Sequence, residues 1–347
     1  MLIVAGPTGA TGHDGGPLHP EQLGRVFSVM AGVHDLGLDG EIVHAHVTPA
    51  GLEDLERVHA RHYLDELEQT CLHGGGELDA DTYARPDSYD VARRAAGAGL
   101  AAIAVLEEHG DGIAFVPVRP PGHHALADRA MGFCLLNNVA VAAASLVAKG
   151  HRVLIVDWDV HHGNGTQDLF WNDPNVLFVS THQWPLYPGT GRADEIGGAD
   201  AVGLTVNIPL PPGTSGDVLQ GALEALAGPV IEGFQPDWVL VSCGFDAHRD
   251  DPIGGLSLSS GDFARLAKLV NTFTPRRGRL VLFLEGGYNA RALRSSTAAT
   301  LGALLGVPAH DEPTTSGGPD ARVIEGIRSA RNAAVAAAVE RGSRPRT

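Results

Sequence analysis

VLIVDWDVHHGNG, at residues 153–165, joins an apolar, β-branched run to two carboxylates, two imidazoles and a glycine-rich turn. The apolar run predicts a buried strand that ends at the polar residues. Side chains at positions i and i+2 of a segment leaving a strand point the same way, so Asp159 and His161 can bind one metal ion, with Asp157 behind them. The alternative interpretation is a solvated loop, and the rest of the chain has to decide between the two.

The composition limits the class of protein. The chain has 347 residues, of which 44% are apolar and 19% charged. This length allows a sizeable core and does not require two domains, because α/β folds of this size are often single units. The 41 Asp and Glu residues outnumber 25 Lys and Arg, which gives a formal charge of -16. We therefore expect one acidic domain that does not bind the phosphate backbone of nucleic acids directly.

The cysteines and the apolar runs indicate a cytoplasmic protein. Cys71, Cys134 and Cys243 are odd in number, form no CxxC motif and lie in or beside apolar runs. They are interpreted as reduced core thiols rather than metal ligands. The amino terminus lacks the basic flank and long apolar stretch of a signal peptide. The longest apolar run, residues 95–106, is shorter than the ~20 residues that a membrane span needs.

A glycine pattern near the start, Gly6, Gly9 and Gly12, resembles a dinucleotide-binding turn. That motif requires a helix to begin within the glycines. Further glycines and prolines follow between residues 15 and 20 instead. A dinucleotide site is therefore not expected here.

Through most of the chain, apolar strands alternate with polar loops and helices. Strands that are apolar throughout indicate a mostly parallel sheet with helices on both faces, and ligand sites in such sheets lie beyond the carboxyl ends of the strands. The predicted strands are residues 113–117, 153–156, 176–180, 204–208, 238–242 and 280–284. Helical spacing is present at residues 21–32, 48–71, 88–109, 137–149, 217–232 and 320–340.

Segments with reactive side chains follow four separate predicted strands, so they can converge on one crevice. Asp159, His161 and Asp246 would form a three-ligand site with open positions, the arrangement of a catalytic zinc. Such a metal polarises a carbonyl oxygen and promotes deprotonation of a water molecule near neutral pH. This chemistry suits a hydrolase.

A hydrolase also needs a base and an acid, and the tandem His123 and His124 can supply both. Asp157 and Asn164, on the facing loop, are available to orient the two rings. Tyr288, on a Gly-Gly turn, can donate a hydrogen bond to a developing oxyanion.

Other interpretations remain open at this point. The tandem histidines could be a surface feature, Asp246 could cap a short turn, and Tyr288 could cover the core. His162 is expected behind the metal or in the core, and His182 could be a ligand or a structural residue. The histidines away from strand ends are treated as ordinary, and these are His44, His46, His59 and His62.

Six segments can be compared with known families: RPPGHHA (119–125), MGFCLLNN (131–138), DWDVHHGNGTQDLF (157–170), YPGTG (187–191), GFDAH (244–248) and EGGYN (285–289). Together they resemble the histone deacetylase superfamily, which also contains acetylpolyamine amidohydrolases and acetoin-utilisation proteins. The resemblance runs from about residue 13 to 306, and the PPGHHA and Asn164 details look like the class II branch.

The resemblance implies a single arginase/deacetylase-like α/β domain at residues 1–306, with its active site at the carboxyl ends of the strands. Residues 307–347 would then be a polar connector, an Ala-rich helix and a basic tail. The implied roles are zinc binding by Asp159, His161 and Asp246, a His123–Asp157 dyad beside a His124–Asn164 pair, and oxyanion donation by Tyr288. Phe133, Tyr187 and Gly132 would line a narrow acyl-amine channel. A structural potassium would use Asp157, Asp159 and Ser180 with backbone oxygens of His161 and Thr181.

Three features bear on the substrate. The usual HPERPxR segment of the family is HPEQLGR here, at residues 19–25, which affects the rim of the pocket more than its chemistry. Tyr187 stands where the family more often has Phe. The loop at residues 250–255 has no Glu after its proline, whereas polyamine-selective relatives can place a gatekeeping Glu there.

The sequence therefore predicts a zinc-dependent amidohydrolase that removes an acetyl or other short acyl group from an N-acylated amine, with acetyl-lysine favoured. Acetylpolyamine or small acylated-amine hydrolysis is the alternative. A catalytically idle relative that binds acylated partners and a dimanganese ureohydrolase are further alternatives. The oligomeric state is not predicted.

Overall fold

The computed structural model describes residues 1–6, 12–309, 312–318 and 321–342. Within these ranges the strands are β1 Leu2–Val4, β2 Ile42–His44, β3 Gly76–Glu77, β4 Tyr83–Ala84, β5 Ile113–Val116, β6 Val153–Asp157, β7 Val176–Gln183, β8 Thr205–Leu210, β9 Trp238–Cys243 and β10 Leu280–Leu284. The helices are α1 Leu23–His34, α2 Leu52–Leu55, α3 Arg61–Leu72, α4 Ser88–His109, α5 Asn138–Val147, α6 Asn164–Leu169, α7 Gly216–Phe234, α8 Ser260–Thr272, α9 Ala290–Leu305 and α10 Ala321–Gly342.

An eight-stranded sheet organises the fold, with strand order β2-β1-β5-β10-β9-β6-β7-β8. All of its neighbouring strands pair in parallel. One buried apolar cluster packs on each face of the sheet, because the strands carry apolar side chains on both sides. The predicted α/β fold with a mostly parallel sheet is therefore confirmed. Strands β3 and β4 form a separate antiparallel hairpin.

Two strands of the sheet were not predicted. β1 and β2 have three residues each, and β2 lies at the sheet edge with no fully buried residue. Such short segments carry little periodic signal. His44, interpreted as an ordinary residue in a helix or loop, ends β2.

The helical pattern at residues 48–71 is split into α2 and α3. The break arises where the chain turns to contact a distant loop: the Ala60 N–H donates to the Ala127 carbonyl at 2.7 Å. At the same turn, His59 donates from Nδ1 to the Leu126 carbonyl and accepts at Nε2 from the Asn137 N–H, both at 2.9 Å. His59 is therefore a buried connecting residue and not an ordinary surface histidine.

Residues 312–318 pack across the starts of α7 and α8. Glu312 Oε2 lies 2.8 Å from His248 Nε2, and the Thr315 hydroxyl donates to Asp262 at 2.7 Å. Asp262 also completes a capping box with Ser259 at the start of α8. The connector following the predicted catalytic domain is thus attached to that domain by partly buried polar contacts.

Helix α10 lies against the edge of the sheet. Its Arg331 is buried and donates to the carbonyls of Gly203 and Thr205 beside β8. Most of the predicted basic tail, and the middle of the Gly6–Gly12 pattern, lie outside the described residues. Among the helices in the described ranges, none is long and apolar enough to cross a bilayer.

Candidate active site

Four neighbouring strands in the middle of the sheet, β5, β10, β9 and β6, bring the predicted site residues together. Their carboxyl ends lie at one edge of the sheet because the strands are parallel. The loops that follow them surround a pocket of about 180 Å³. The pocket is lined by Asp81, Pro121, His123, His124, Gly132, Phe133, His161, Tyr187, Ile253, Gly286 and Tyr288.

Three side chains at the base of this pocket form a candidate metal centre. One ligand atom each of Asp159, His161 and Asp246 lies within 4.8 Å of the other two. Asp246 Oδ1 accepts a hydrogen bond from the Val160 N–H at 2.8 Å, so Asp246 does more than cap a turn. Among the described residues, the fully buried Asp246 Oδ2 makes no hydrogen bond of good geometry, and His161 Nδ1, of another candidate ligand, lies 3.3 Å from it. A buried carboxylate oxygen with so few hydrogen bonds is unfavourable unless a cation lies beside it.

The charges at this centre also favour a cation. Burial and the nearby Asp159 charge raise the pKa of Asp246 to about 7. Burial alone would lower the pKa of His161, but Asp159 and Asp246 outweigh it and raise that pKa to about 10. In the metal-free protein, bound protons thus reduce the net negative charge of the two carboxylates. Two carboxylates and one imidazole with open positions fit a zinc ion that can also bind substrate.

The tandem histidines are buried beside this centre and are not a surface feature, since their exposed fractions are 3% and 4%. His123 Nδ1 lies 2.9 Å from Asp157 Oδ2, and His124 Nδ1 lies 2.7 Å from Asn164 Oδ1. The structure therefore brings together both predicted histidine pairs. The two ring centroids are 4.0 Å apart.

The two histidines have opposite electrostatic surroundings. Burial would lower the pKa of His123, but Asp157 and Asp159 outweigh it and raise the pKa to about 10. Burial lowers the pKa of His124 well below 6.5, and the charges of His123 and His161 lower it further. In the metal-free protein these shifts favour a protonated His123 beside a neutral His124, which is the division that acid and base roles require.

Tyr288 lies at the pocket wall rather than over the core, and Arg25 of α1 holds its loop. The Arg25 side chain donates to the carbonyls of Gly287 (2.6 Å) and Glu285, and its guanidinium lies 4.8 Å from the Tyr288 ring centroid. Burial raises the pKa of Tyr288 well above 10, so its hydroxyl keeps its proton. The HPEQLGR segment thus retains the arginine that contacts the Tyr288 loop.

A tight turn shapes the channel wall. Met131 and Cys134 exchange two backbone hydrogen bonds, and the central residues Gly132 and Phe133 both have positive φ, 56° and 67°. Glycine is needed at the first position because a Cβ there would collide with the His124 ring. The turn directs Phe133 to one side of the pocket, while Tyr187 stacks edge-on against His124 at 5.2 Å.

His162 and His182 hold the loop that carries Tyr187. His162 contacts Thr190 Oγ1 at 2.8 Å and Gln167 Oε1 at 3.0 Å. His182 contacts Ser180 Oγ and the Gly191 carbonyl, both at 2.9 Å. Each ring uses both nitrogens within the protein, so both histidines are structural.

The residues implied for potassium lie on β7 and at the end of β6: Asp157 ends β6, Ser180 and Thr181 lie on β7, and Asp159 and His161 follow β6. Asp157 pairs with Ser180 in the sheet register. The Thr181 hydroxyl lies 3.5 Å from the Asp157 carbonyl. The Ser180 hydroxyl also lies within hydrogen-bond distance of His182 Nδ1, at 2.9 Å.

Sequence reasoning missed several residues around the site. Asp81 lines the pocket mouth from the loop before β4, Arg25 holds the Tyr288 loop, and Glu285 is fully buried beside the tandem histidines. Arg25 could have been found as the last residue of HPEQLGR. For Asp81 no local signal exists, since it lies in a short polar loop.

Comparison with known proteins agrees with this geometry. The histone deacetylase domain family matches residues 19–304. A probable deacetylase of Archaeoglobus fulgidus is 40% identical over 301 residues, which cover 85% of this chain and 83% of that protein. The histone deacetylase-like amidohydrolase of Pseudomonas aeruginosa is 38% identical, with 87% of this chain and 79% of that protein covered.

A crystal structure of the HDA15 HD domain superposes with a TM-score of 0.82, 32% identity and 95% coverage of both chains. The fold and the matches define an α/β enzyme of the deacetylase and amidohydrolase class. The chain belongs to the histone deacetylase family.

Proposed function

We propose that this enzyme is zinc-dependent and hydrolyses N-acylated amines, with acetyl-lysine in a peptide as its substrate. The observation that carries the proposal is the buried Asp159–His161–Asp246 cluster beside the His123–Asp157 and His124–Asn164 pairs. A zinc ion bound there would polarise the acyl carbonyl and promote deprotonation of water. The Asp157, Asp159 and Ser180 side chains, with backbone oxygens of His161 and Thr181, are the proposed potassium ligands.

Different residues of the protein accept and donate the protons of the reaction. Because its pKa is low, His124 is neutral at neutral pH and accepts a proton from the attacking water, while Asn164 orients its ring. Tyr288 stays protonated and donates a hydrogen bond to the developing oxyanion. His124 or the protonated His123 then gives a proton to the departing amine.

The pocket favours a lysine-like chain over a polyamine. Phe133 and Tyr187 provide aromatic walls for a straight alkyl segment. Ile253, from the loop where polyamine-selective relatives can carry Glu, lines the pocket with an apolar side chain. The Asp81 carboxylate at the mouth can accept hydrogen bonds from backbone N–H groups of a bound peptide.

Tyr288→Phe and His124→Ala test the mechanism. Each should lower kcat on an acetyl-lysine peptide by about 100-fold or more, because each removes a group that acts in the transition state. The assay uses purified, zinc-loaded protein, and intact folding of both variants is verified by thermal unfolding. Full turnover by both variants would show that the mechanism is wrong.

The substrate class is tested separately. We expect a higher kcat/KM for an acetyl-lysine peptide than for acetylputrescine at the same zinc concentration. The reverse order would assign the enzyme to acetylpolyamines. Binding of acyl-lysine peptides with no turnover of either substrate would identify a catalytically idle relative.

A further inference from the structure

Glu285 is a buried carboxylate that takes no part in the proposed chemistry. It follows β10 directly, and its side chain is fully inaccessible to solvent. A charged side chain in this position is costly unless its oxygens receive hydrogen bonds. Its contacts therefore show what it is for.

Those contacts tie Glu285 to the tandem histidine loop. Its Oε2 accepts from the Gly122 N–H at 2.7 Å and from the His123 N–H at 3.2 Å, while Oε1 accepts from the Ser242 hydroxyl at 3.2 Å. Two consecutive backbone N–H groups thus depend on one carboxylate oxygen. In a buried loop with no strand partner, they would otherwise be unsatisfied.

The other hydrogen bonds of His123 involve its ring and carbonyl, not its N–H. Asp157 holds the His123 ring at 2.9 Å, and the Thr166 N–H donates to the His123 carbonyl at 3.1 Å. Among the described residues, Glu285 is the one whose side chain accepts a hydrogen bond from the His123 N–H. On its other side, the Glu285 carbonyl accepts from Arg25, which also holds the Tyr288 loop.

We propose that Glu285 is the positioning residue that sets His123 and His124 relative to Tyr288. It connects the loop after β5, which carries the histidines, to the loop after β10, which carries Tyr288. This proposal rests on the proposed function, because it assigns Glu285 a role in aligning the residues of that reaction.

Glu285→Gln and Glu285→Ala separate hydrogen bonding from charge. Glutamine keeps an oxygen that accepts from Gly122 and His123, and its amide can donate to Ser242. Alanine leaves both N–H groups without an acceptor. We expect Glu285→Ala to lower kcat by about 30- to 100-fold with little change in KM, and Glu285→Gln to stay within about threefold of the unchanged enzyme, since misplacement by about 1 Å can cost about 100-fold.

A second readout does not depend on turnover. The Nδ1 proton of His123 forms a hydrogen bond with Asp157, so it should give a downfield proton NMR signal in the metal-free protein. We expect the signal to shift or disappear in Glu285→Ala and to persist in Glu285→Gln. Asp262→Ala is the matched control, since it removes another fully buried carboxylate outside the pocket and should leave the signal and kcat unchanged below its unfolding temperature.

The proposal is overturned if Glu285→Ala retains both kcat and the His123 signal, or if Glu285→Gln is as impaired as Glu285→Ala. The second result would assign the effect to charge rather than position. Failure of the proposed function is distinguishable, because it would appear as no amide hydrolysis by the unchanged protein. The NMR comparison of the variants would then still decide the role of Glu285.

Discussion

At the scale of single residues, His59 shows how a buried imidazole can stabilise the fold only while it is neutral. One nitrogen donates to Leu126 and the other accepts from Asn137, so a second ring proton would face a donor. Burial lowers the pKa of His59 to about 4. The residue therefore couples stability to pH.

The direction follows from proton binding. Between its unfolded pKa of 6.5 and its folded value of about 4, His59 binds fewer protons in the folded state, so stability is lost as pH falls through this range. The contribution is roughly 3 kcal/mol. We expect the unfolding free energy to drop by about that much more in the unchanged protein than in His59→Gln between pH 7 and 4, as measured by urea denaturation. Parallel curves for the two proteins would contradict this.

Arg25 provides a second test at this scale. Arg25→Ala removes two carbonyl contacts and the guanidinium beside Tyr288, so we expect kcat to fall by about 10- to 100-fold. Arg25→Lys should recover only part of this activity, because an ammonium cannot reproduce the planar arrangement of donors. Steady-state kinetics measure both. Arg294→Ala, which removes an exposed ion pair with Asp35, is the control and should change kcat little.

At the scale of elements, the segment at residues 312–318 stabilises the start of α8. Asp262 caps that helix and accepts two hydrogen bonds from Thr315. We expect Asp262→Ala to lower the unfolding free energy by about 2–4 kcal/mol, because a helix cap and buried hydrogen bonds are lost together. Thr315→Val should cost less than Asp262→Ala in the same denaturation experiment.

Glu325→Ala is the comparison for that measurement. Glu325 has an exposed side chain on α10 in an ion pair with Arg328, and its loss should cost below about 0.5 kcal/mol. Equal effects of Asp262→Ala and Glu325→Ala would show that the connector does not contribute to stability.

The elements also show how far the sequence could be interpreted. Apolar runs predicted six strands of the sheet, and the parallel arrangement predicted that their following loops would meet. β1 and β2 were missed because three residues do not establish a pattern. Glu285 was missed for another reason: its contact with Gly122 spans 163 residues of the chain, and no local pattern encodes such a contact. The contact of Arg25 with Glu285 spans 260 residues, and only the HPEQLGR segment could have indicated it.

At the scale of the whole molecule, metal binding should be coupled to folding. The cluster of Asp159, His161 and Asp246 exists only in the folded chain, since its ligands come from two separated segments. Zinc at about 1,000 times its Kd should therefore add about 4 kcal/mol to the unfolding free energy. We expect zinc to raise the Tm of chelator-treated protein and to have little effect on Asp246→Ala. An equal increase in both proteins would place the stabilising zinc elsewhere.

The position of β10 has a consequence for how the molecule is assembled. β10 is the last strand within the described residues, yet it lies between β5 and β9. Without β10, the sheet order would divide into two half-sheets, β2-β1-β5 and β9-β6-β7-β8, each with an open edge. All three candidate metal ligands follow strands of the second half, whereas His123 and His124 follow β5 in the first. β10 pairs with both halves, and the Gly286 N–H that follows it donates to Asp159 at 2.7 Å, so the final strand completes the metal site as well as the sheet.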